Sequence, residues 1–254
     1  GIGDSVGIWA RKEKYTFEAG RVEGATRVAR LAAAKGIEKM VQISAIGADA
    51  YAASEYSQSK AEGEAGVLAH MPNAVILRPS IVFGTEDQFF NRFASMTRFG
   101  PVLPVVGADT KFQPVHVDDV AQAAELALTS DFTAGVYELG GPEVATMHEL
   151  MITRLNVIRR RRLVLNLPFF AARIMAFFFE LGSKLTLGIA PVMITSDQVE
   201  NLRVDNLVSE GAKGFADLGI EPVAMQVVLP EYLWRFRPSG QYDAIKESSK
   251  NIRA

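Results

Sequence analysis

Three side chains near the start of the chain have the types and spacing of an acid/base centre. Ser44 ends a short apolar run, and Tyr56-Ser57-Gln58-Ser59-Lys60 follows it. On a helix, a tyrosine and a lysine four positions apart share one face, so the ammonium can sit beneath the phenol. A free phenol titrates near ~10 and is of no use as an acid or base at neutral pH. A neighbouring cation lowers that value, and a hydroxyl at a strand end can hold a substrate oxygen opposite. Tyr-x-x-x-Lys by itself arises by chance about once per few hundred residues, and its plain alternative is a surface tyrosine with a solvated lysine. The order around it is much rarer: a strand-end serine, a loop, the pair at a helix start, then a strand ending in Arg78-Pro79.

The elements that would position these groups follow from periodicity. Arg21 to Lys35 reads as an amphipathic helix with Val22, Ala25, Val28, Ala29 and Ala32 on one face, closed by Gly36 in a left-handed cap. Lys39 to Ser44 reads as a short buried strand, Tyr56 to Ala69 as a helix, and Ala74 to Leu77 as a second buried strand. Val115-His116-Val117 gives a third strand, with Asp118 placed to cap a helix from Val120 to Thr129. Val136 to Leu139 gives a fourth, stopped by Gly140-Gly141-Pro142, and Thr146-x-x-Glu149 is a capping box that opens a further helix. Apolar strands alternating with helices predict an α/β fold: a doubly wound parallel sheet of Rossmann type. The expected organisation is a dinucleotide-binding domain over 1–145, a smaller C-terminal lobe over 146–238 and a loose tail over 239–254.

Composition narrows the function classes. The 254 residues are 48% hydrophobic and 22% charged, which supports a sizeable core, and the net charge of −2 is too balanced for a typical nucleic-acid binder. There is no cysteine, so disulfide, zinc–cysteine and iron–sulfur sites are excluded. His70, His116 and His148 are scattered without metal-ligand spacing, so no metal is expected. His116 reads as strand filling and Asp118 as a cap, neither as an acid or base. No charge-free apolar run reaches the roughly 18–20 residues that a membrane span needs.

Two further stretches carry chemistry. Pro79-Ser80-Ile81-Val82 follows a parallel strand, where open α/β sheets bind ligands at strand carboxyl ends, so it should face a bound ligand. Arg159-Arg160-Arg161-Arg162 leads into Leu163 to Leu187, where Phe170, Ile174, Phe177 and Leu181 recur at helical spacing beside Phe169 and Phe178. That pattern fits a core-facing helix after an exposed basic strand. It fits equally a surface that docks on anionic head groups or a membrane protein, lying along a bilayer because Arg173, Glu180 and Lys184 interrupt the apolar run.

Val41 to Ser44, Tyr56 to Lys60 with Ala61-Glu62-Gly63-Glu64, Leu77 to Gly84 and Pro114 to Ala121 together resemble the atypical extended short-chain dehydrogenase/reductases. Within that group, Val82 to Phe93, Tyr137 to Pro142 and Asp217 to Glu221 are similar to the subunit 9-like (alpha subcomplex) accessory subunits of NADH:ubiquinone oxidoreductase, respiratory complex I. The resemblance runs from about Val6 to Pro238, and it implies a nicotinamide dinucleotide, NADPH in preference to NADH. The cofactor residues it implies are Gly7, Ser44, Tyr56, Lys60, Pro79, Ser80, Ile81 and Val82. The implied partners are other complex I subunits, with the membrane surface or membrane-arm subunits meeting Arg159–Leu187. The implied place is peripheral, on the matrix side of the mitochondrial inner membrane or the cytoplasmic side of a bacterial one.

The family's glycine-rich pyrophosphate turn is not visible. Val6-Gly7-Ile8 looks like the end of the family's fourth strand, so the first strands are expected to lie upstream of Gly1. Three functions stand open. The first is a structural accessory subunit in which Ser44, Tyr56 and Lys60 hold a cofactor without turnover. The second is an active reductase, epimerase or dehydratase with those three as catalytic residues, and the third is a cofactor-sensing regulator.

Overall fold

The computed structural model describes residues 22–98, 100–130, 133–185, 194–238 and 240–242; Gly7 and most of the expected tail lie outside them. Along the chain run α1 (Gly24–Ala34), β1 (Val41–Ile43), α2 (Glu55–His70), β2 (Val75–Pro79), β3 (Val82–Phe83), α3 (Phe90–Met96), β4 (Val102–Val106) and β5 (Lys111–Phe112). There follow β6 (Val115–His116), α4 (Val117–Thr129), β7 (Gly135–Leu139), β8 (Ala145–Thr146) and α5 (Met147–Val157). The last elements are β9 (Leu163–Leu167), α6 (Phe169–Leu185), α7 (Ser196–Asn201) and α8 (Met225–Leu233). They form two compact units that interleave in sequence. One takes the described residues through Pro79 with Val120–Leu139 and Val208–Glu221, and the other takes Ser80–Asp119, Gly140–Leu207 and the residues from Pro222.

The first unit is built on a parallel three-stranded sheet in the order β1-β2-β7, with Ile43 opposite Leu77 and Pro79 opposite Leu139. The apolar run Val75-Ile76-Leu77 is buried on both sides, as a parallel strand covered by helices must be. Ala29, Val67, Met71, Ala74 and Ile76 form the core under α1 and α2. A Cβ on Gly66 of α2 would overlap Thr26 of α1, so glycine is what lets the two helices approach this closely. Gly36 closes α1 at φ 69°, donating to Ala33 while Ile37 donates back to Ala32, the expected left-handed cap with both orphan carbonyls satisfied. Val28 departs from the expected buried stripe and is 46% exposed, because α1 turns its smaller alanines to the sheet.

The second unit contains two parallel strand pairs, β3 with β6 and β4 with β9, and one antiparallel pair, β5 with β8. Its core gathers Phe83, Phe90, Leu103, Phe112, Leu150, Met151, Leu229 and Leu233. The capping box is present: Thr146 Oγ1 accepts from the Glu149 N–H, and the Glu149 carboxylate accepts from the Thr146 N–H at 2.8 Å. Two expectations are corrected. Strand β6 stops at His116 and pairs with β3 outside the three-stranded sheet. Helix α4 then begins at Val117, so Asp118 lies in its first turn rather than capping it, where a carboxylate still favours the positive helix end. The neighbouring Asp119 accepts from the Val223 N–H at 2.9 Å.

Helix α6 reverses one of its two sequence readings. Its buried residues are the small Ala172 and Ala176, packed with Val199, while Phe170, Ile174, Phe177 and Phe178 are each more than half exposed. Its large apolar stripe therefore does not face the core, which the helix meets through its alanines. The arginines before it form a turn, with Arg159 at φ 53°, and the strand begins only at Leu163. No described helix is long and apolar enough to cross a membrane.

Candidate functional site

In the first unit, β1 and β2 deliver their carboxyl ends side by side. Ser44 leaves β1 with its N–H donating to Leu77 O at 2.7 Å, and the Ile46 N–H donates to Pro79 O at 3.0 Å, so the strand-end loop is stitched to β2. Ser44 is buried, and its Oγ has no hydrogen-bond partner among the described residues. A buried hydroxyl without a partner is costly, which makes this one a candidate to bond a ligand.

The loop to α2 is tied down residue by residue. The Tyr51 N–H donates to Asp49, Gln58 Nε2 donates to Ala52 O at 2.7 Å, and Ser54 caps α2 by accepting from the Ser57 N–H. Helical spacing then places the Lys60 ammonium 5.8 Å from the centre of the Tyr56 ring, the stacked arrangement that the sequence predicts. A cation beside a half-buried tyrosine is placed for acid/base work at the phenol or for donating to a ribose hydroxyl pair.

Glu64 holds this helix in place and is a residue the sequence reading missed. It lies one further helical turn along the Tyr56–Lys60 face and takes a two-pronged grip from Arg78 at the end of β2, Nε to Oε1 at 2.9 Å and Nη2 to Oε2 at 2.6 Å. Arg78 also lies 3.7 Å from Glu138 on β7, whose other oxygen accepts from the Ser209 N–H at 2.7 Å. The hydrogen bond from Glu64 is the main influence that raises the Arg78 guanidinium above its ordinary range, outweighing burial. The available signal was Glu64 four residues after Lys60 together with an arginine one residue before a strand-ending proline.

The remaining predicted residues fall as follows. Pro79 is buried at the end of β2. Ser80, Ile81 and Val82 belong to the second unit, where the Ser80 hydroxyl lies 2.6 Å from Asn206 Oδ1 and accepts from the Gln113 N–H at 3.3 Å. Ile81 O accepts from the Val115 N–H at 2.9 Å, and Ile81 and Val82 are half-buried. Gly7 lies outside the described residues. Among those described, no group of histidines and carboxylates is placed to hold a metal.

The segment that carries the most specific resemblance, Phe83 to Phe93, turns out to be a packing device of the second unit. Asp87 accepts from the Asn91 N–H at 3.2 Å and from the Tyr232 hydroxyl at 2.6 Å, while Phe83, Phe89, Phe90 and Phe93 meet edge to face. Burial first, and Asp87 second, push the Tyr232 phenol well above its usual range. It is a structural donor.

Comparison with known proteins follows this geometry. Residues 48–165 match the RmlD substrate binding domain family. The mitochondrial NADH dehydrogenase (ubiquinone) 1 alpha subcomplex subunit 9 of Arabidopsis thaliana is 36% identical over 210 residues, 81% of this chain and 52% of that protein. The mitochondrial NADH-ubiquinone oxidoreductase 40 kDa subunit of Neurospora crassa is 32% identical over 244 residues, 95% of this chain and 62% of that protein. The chain thus spans between about half and three fifths of the length of these curated relatives. Among solved structures, gox2253 superposes with a TM-score of 0.63 at 22% identity, covering 92% of this chain and 76% of that one. DesIV, a dTDP-glucose 4,6-dehydratase from Streptomyces venezuelae with NAD and TYD bound, gives a TM-score of 0.62 at 17% identity over 90% of this chain and 69% of its own. These likenesses show a Rossmann-type α/β fold and a sequence similar to complex I subunits.

Proposed function

From a chain with the extended short-chain dehydrogenase fold and a subunit 9-like sequence, we propose a nicotinamide-dinucleotide-holding accessory subunit of a respiratory NADH:quinone oxidoreductase. The observation that carries this reading is the similarity to the Neurospora crassa 40 kDa subunit along 95% of the chain. The corner of Ser44, Tyr56 and Lys60 supports the cofactor part, since a buried orphaned hydroxyl and a cation stacked on a phenol are groups that a bound dinucleotide and its neighbour would satisfy. When bound, such a cofactor supplies a hydride donor or acceptor. The chain's part is to hold it: the resemblance puts Lys60 and Tyr56 at the ribose and Ser44 and Pro79 beside the nicotinamide, and it assigns cofactor contacts to Gly7, Ser80, Ile81 and Val82 as well. The resemblance favours NADPH over NADH.

The partners in this reading are the other subunits of the oxidoreductase, and the exposed aromatic face of α6 meets the membrane surface or a membrane-arm subunit. The subunit sits peripherally on the side that carries the hydrophilic arm. The test is to isolate the oxidoreductase from membranes in mild detergent and look for this chain and an acid-extractable nicotinamide nucleotide. Co-purification with about one nucleotide per chain is expected. A free soluble chain that oxidises NADPH with a carbonyl compound would sink the proposal.

A second reading has its own support. Ser44, Tyr56 and Lys60 are all present at the spacing that acid/base work requires, so an NAD(P)-dependent reductase or epimerase remains chemically complete at this corner. Steady carbonyl turnover that depends on Tyr56 would establish it.

A further inference from the structure

In the turn between α5 and β9, Arg160 and Arg162 are held by backbone carbonyls. Arg160 donates from Nε to Phe236 O at 2.9 Å, and Arg162 donates from Nε to Thr97 O at 3.0 Å. Arg237 donates in the same way to Val157 O at 2.9 Å, and Arg98 lies over the Phe236 ring at 5.2 Å. Backbone carbonyls and a ring face therefore fix these guanidiniums in place. Among the described residues, none of Arg98, Arg160, Arg161, Arg162 and Arg237 makes a salt bridge. Elsewhere in the same unit, by contrast, Arg173 and Arg203 share Glu200. Burial and the like charges of Arg162 and Arg98 together push Arg160 down from its usual range.

An open pocket of about 440 Å³ lies against this turn, lined by Arg160, Arg161, Arg162, Asn156 and the aliphatic Ile152 and Leu163. Guanidiniums oriented before any ligand arrives lose little on binding one, and their forked donors match phosphate oxygens. No aromatic ring lines the pocket to stack a base, which argues against a nucleotide. Just beyond it, β9 turns Leu163 and Leu165 to solvent, and α6 turns out Phe170, Ile174, Phe177 and Phe178. Cations at one end with apolar side chains following is the chemistry of a phospholipid.

We propose that the Arg160–Arg162 pocket is a head-group site for an anionic phospholipid, with the phosphate on the arginines and the acyl chains against the exposed side chains of β9 and α6. This deepens the membrane side of the proposed function and rests on that reading. The carbonyl bonds of Arg160 and Arg162 pre-set the site, and Arg161, whose side chain makes no bond among the described residues, is its adaptable member.

The test mixes the full chain with phosphatidylcholine vesicles, with and without phosphatidylglycerol, and measures co-flotation. Binding is expected only with phosphatidylglycerol and should weaken steeply with salt. Replacing all three arginines by glutamine is expected to weaken binding roughly a hundredfold, at about fivefold per arginine. Arg161→Glu, which breaks no side-chain bond among the described residues, should cost more than about tenfold with an unchanged circular dichroism spectrum. Equal binding to neutral vesicles, or full binding by Arg161→Glu, overturns the proposal. So does displacement by millimolar inorganic phosphate as effective as by lipid, since the site would then be one for free phosphate. If Arg161→Glu keeps vesicle binding but loses the oxidoreductase, the pocket takes a protein carboxylate and the proposal is likewise overturned. Vesicle binding by a chain that never co-purifies with the oxidoreductase supports the lipid site while removing the subunit reading.

Discussion

The two units treat their buried and clustered charges in opposite ways. In the first, Arg78, Glu64 and Glu138 close on one another, and among the described residues the one buried side-chain polar atom left open is the Ser44 hydroxyl at the strand ends. In the second, among the described residues, the guanidinium of Arg154 on α5 is fully buried with no hydrogen bond, and Arg160, Arg161 and Arg162 have no acid. A closed charge network fixes geometry, and an open one waits for a partner. The first unit thus closes its buried charges into one network, whereas the described part of the second encloses Arg154 without an acid and sets Arg160–Arg162 along an open pocket.

The largest effect should come from opening the closed network. Arg78→Ala leaves Glu64 and Glu138 buried without their cation, and breaking such a pair costs about 3–5 kcal/mol. The low end, about 3 kcal/mol, is expected because the Arg78 side chain is 22% exposed and partly screened. Urea unfolding measures the loss, and nucleotide binding should fall with it as α2 loosens. A change below about 1 kcal/mol would show that the clamp is a surface pair in effect, and the contrast between the units would fail.

Closing the open side should do the reverse. Burial pushes Arg154 down from its usual range to about 9, and among the described residues the Phe93 ring at 5.6 Å is what offsets it. Arg154→Met keeps the length and removes the buried charge, so the chain should gain about 1–4 kcal/mol, read as a higher urea midpoint. Destabilisation instead would mean that the guanidinium has a polar partner in solution, and the second unit would then be closed as well.

What was legible in the sequence was local. Gly36 as a left-handed cap, Thr146 with Glu149 as a box, and Tyr56 with Lys60 on one face all follow from spacings of four residues or fewer, and all are present. Arg78 with Glu64, 14 residues apart, and Ser80 with Asn206, 126 apart, depend on the chain path, which no spacing encodes. Strand β4 is absent from the sequence reading; it carries Pro104, which a two-stranded pair tolerates because one side of the strand needs no ladder bond. Helix α6 fails for a different reason: periodicity reports that a stripe exists but not whether protein or solvent faces it.

A smaller effect sharpens the contrast at the one open atom of the first unit. Ser44→Ala removes a buried hydroxyl that has no partner, so the unliganded chain should gain about 1 kcal/mol in urea unfolding. Any carbonyl-bearing ligand of the corner should bind more weakly, because the strand-end donor is gone. A loss of stability in the unliganded chain would mean that Ser44 already has its partner.

The smallest effect is expected where the chemistry looks most complete. Tyr56→Phe keeps the ring beneath which Lys60 stacks at 5.8 Å and deletes only the phenol oxygen. If the corner holds a cofactor without turning it over, NADH:quinone turnover of the assembled enzyme should not change, and bound nucleotide should fall by at most about tenfold, one hydrogen bond's worth. If the corner is catalytic, deleting its acid should cut carbonyl reduction by about 10²–10⁴-fold while nucleotide stays bound. The two readings share every residue and differ only in whether the Tyr56 proton moves, and for that reason the conservative variant, measured on both activities, separates them where geometry alone does not.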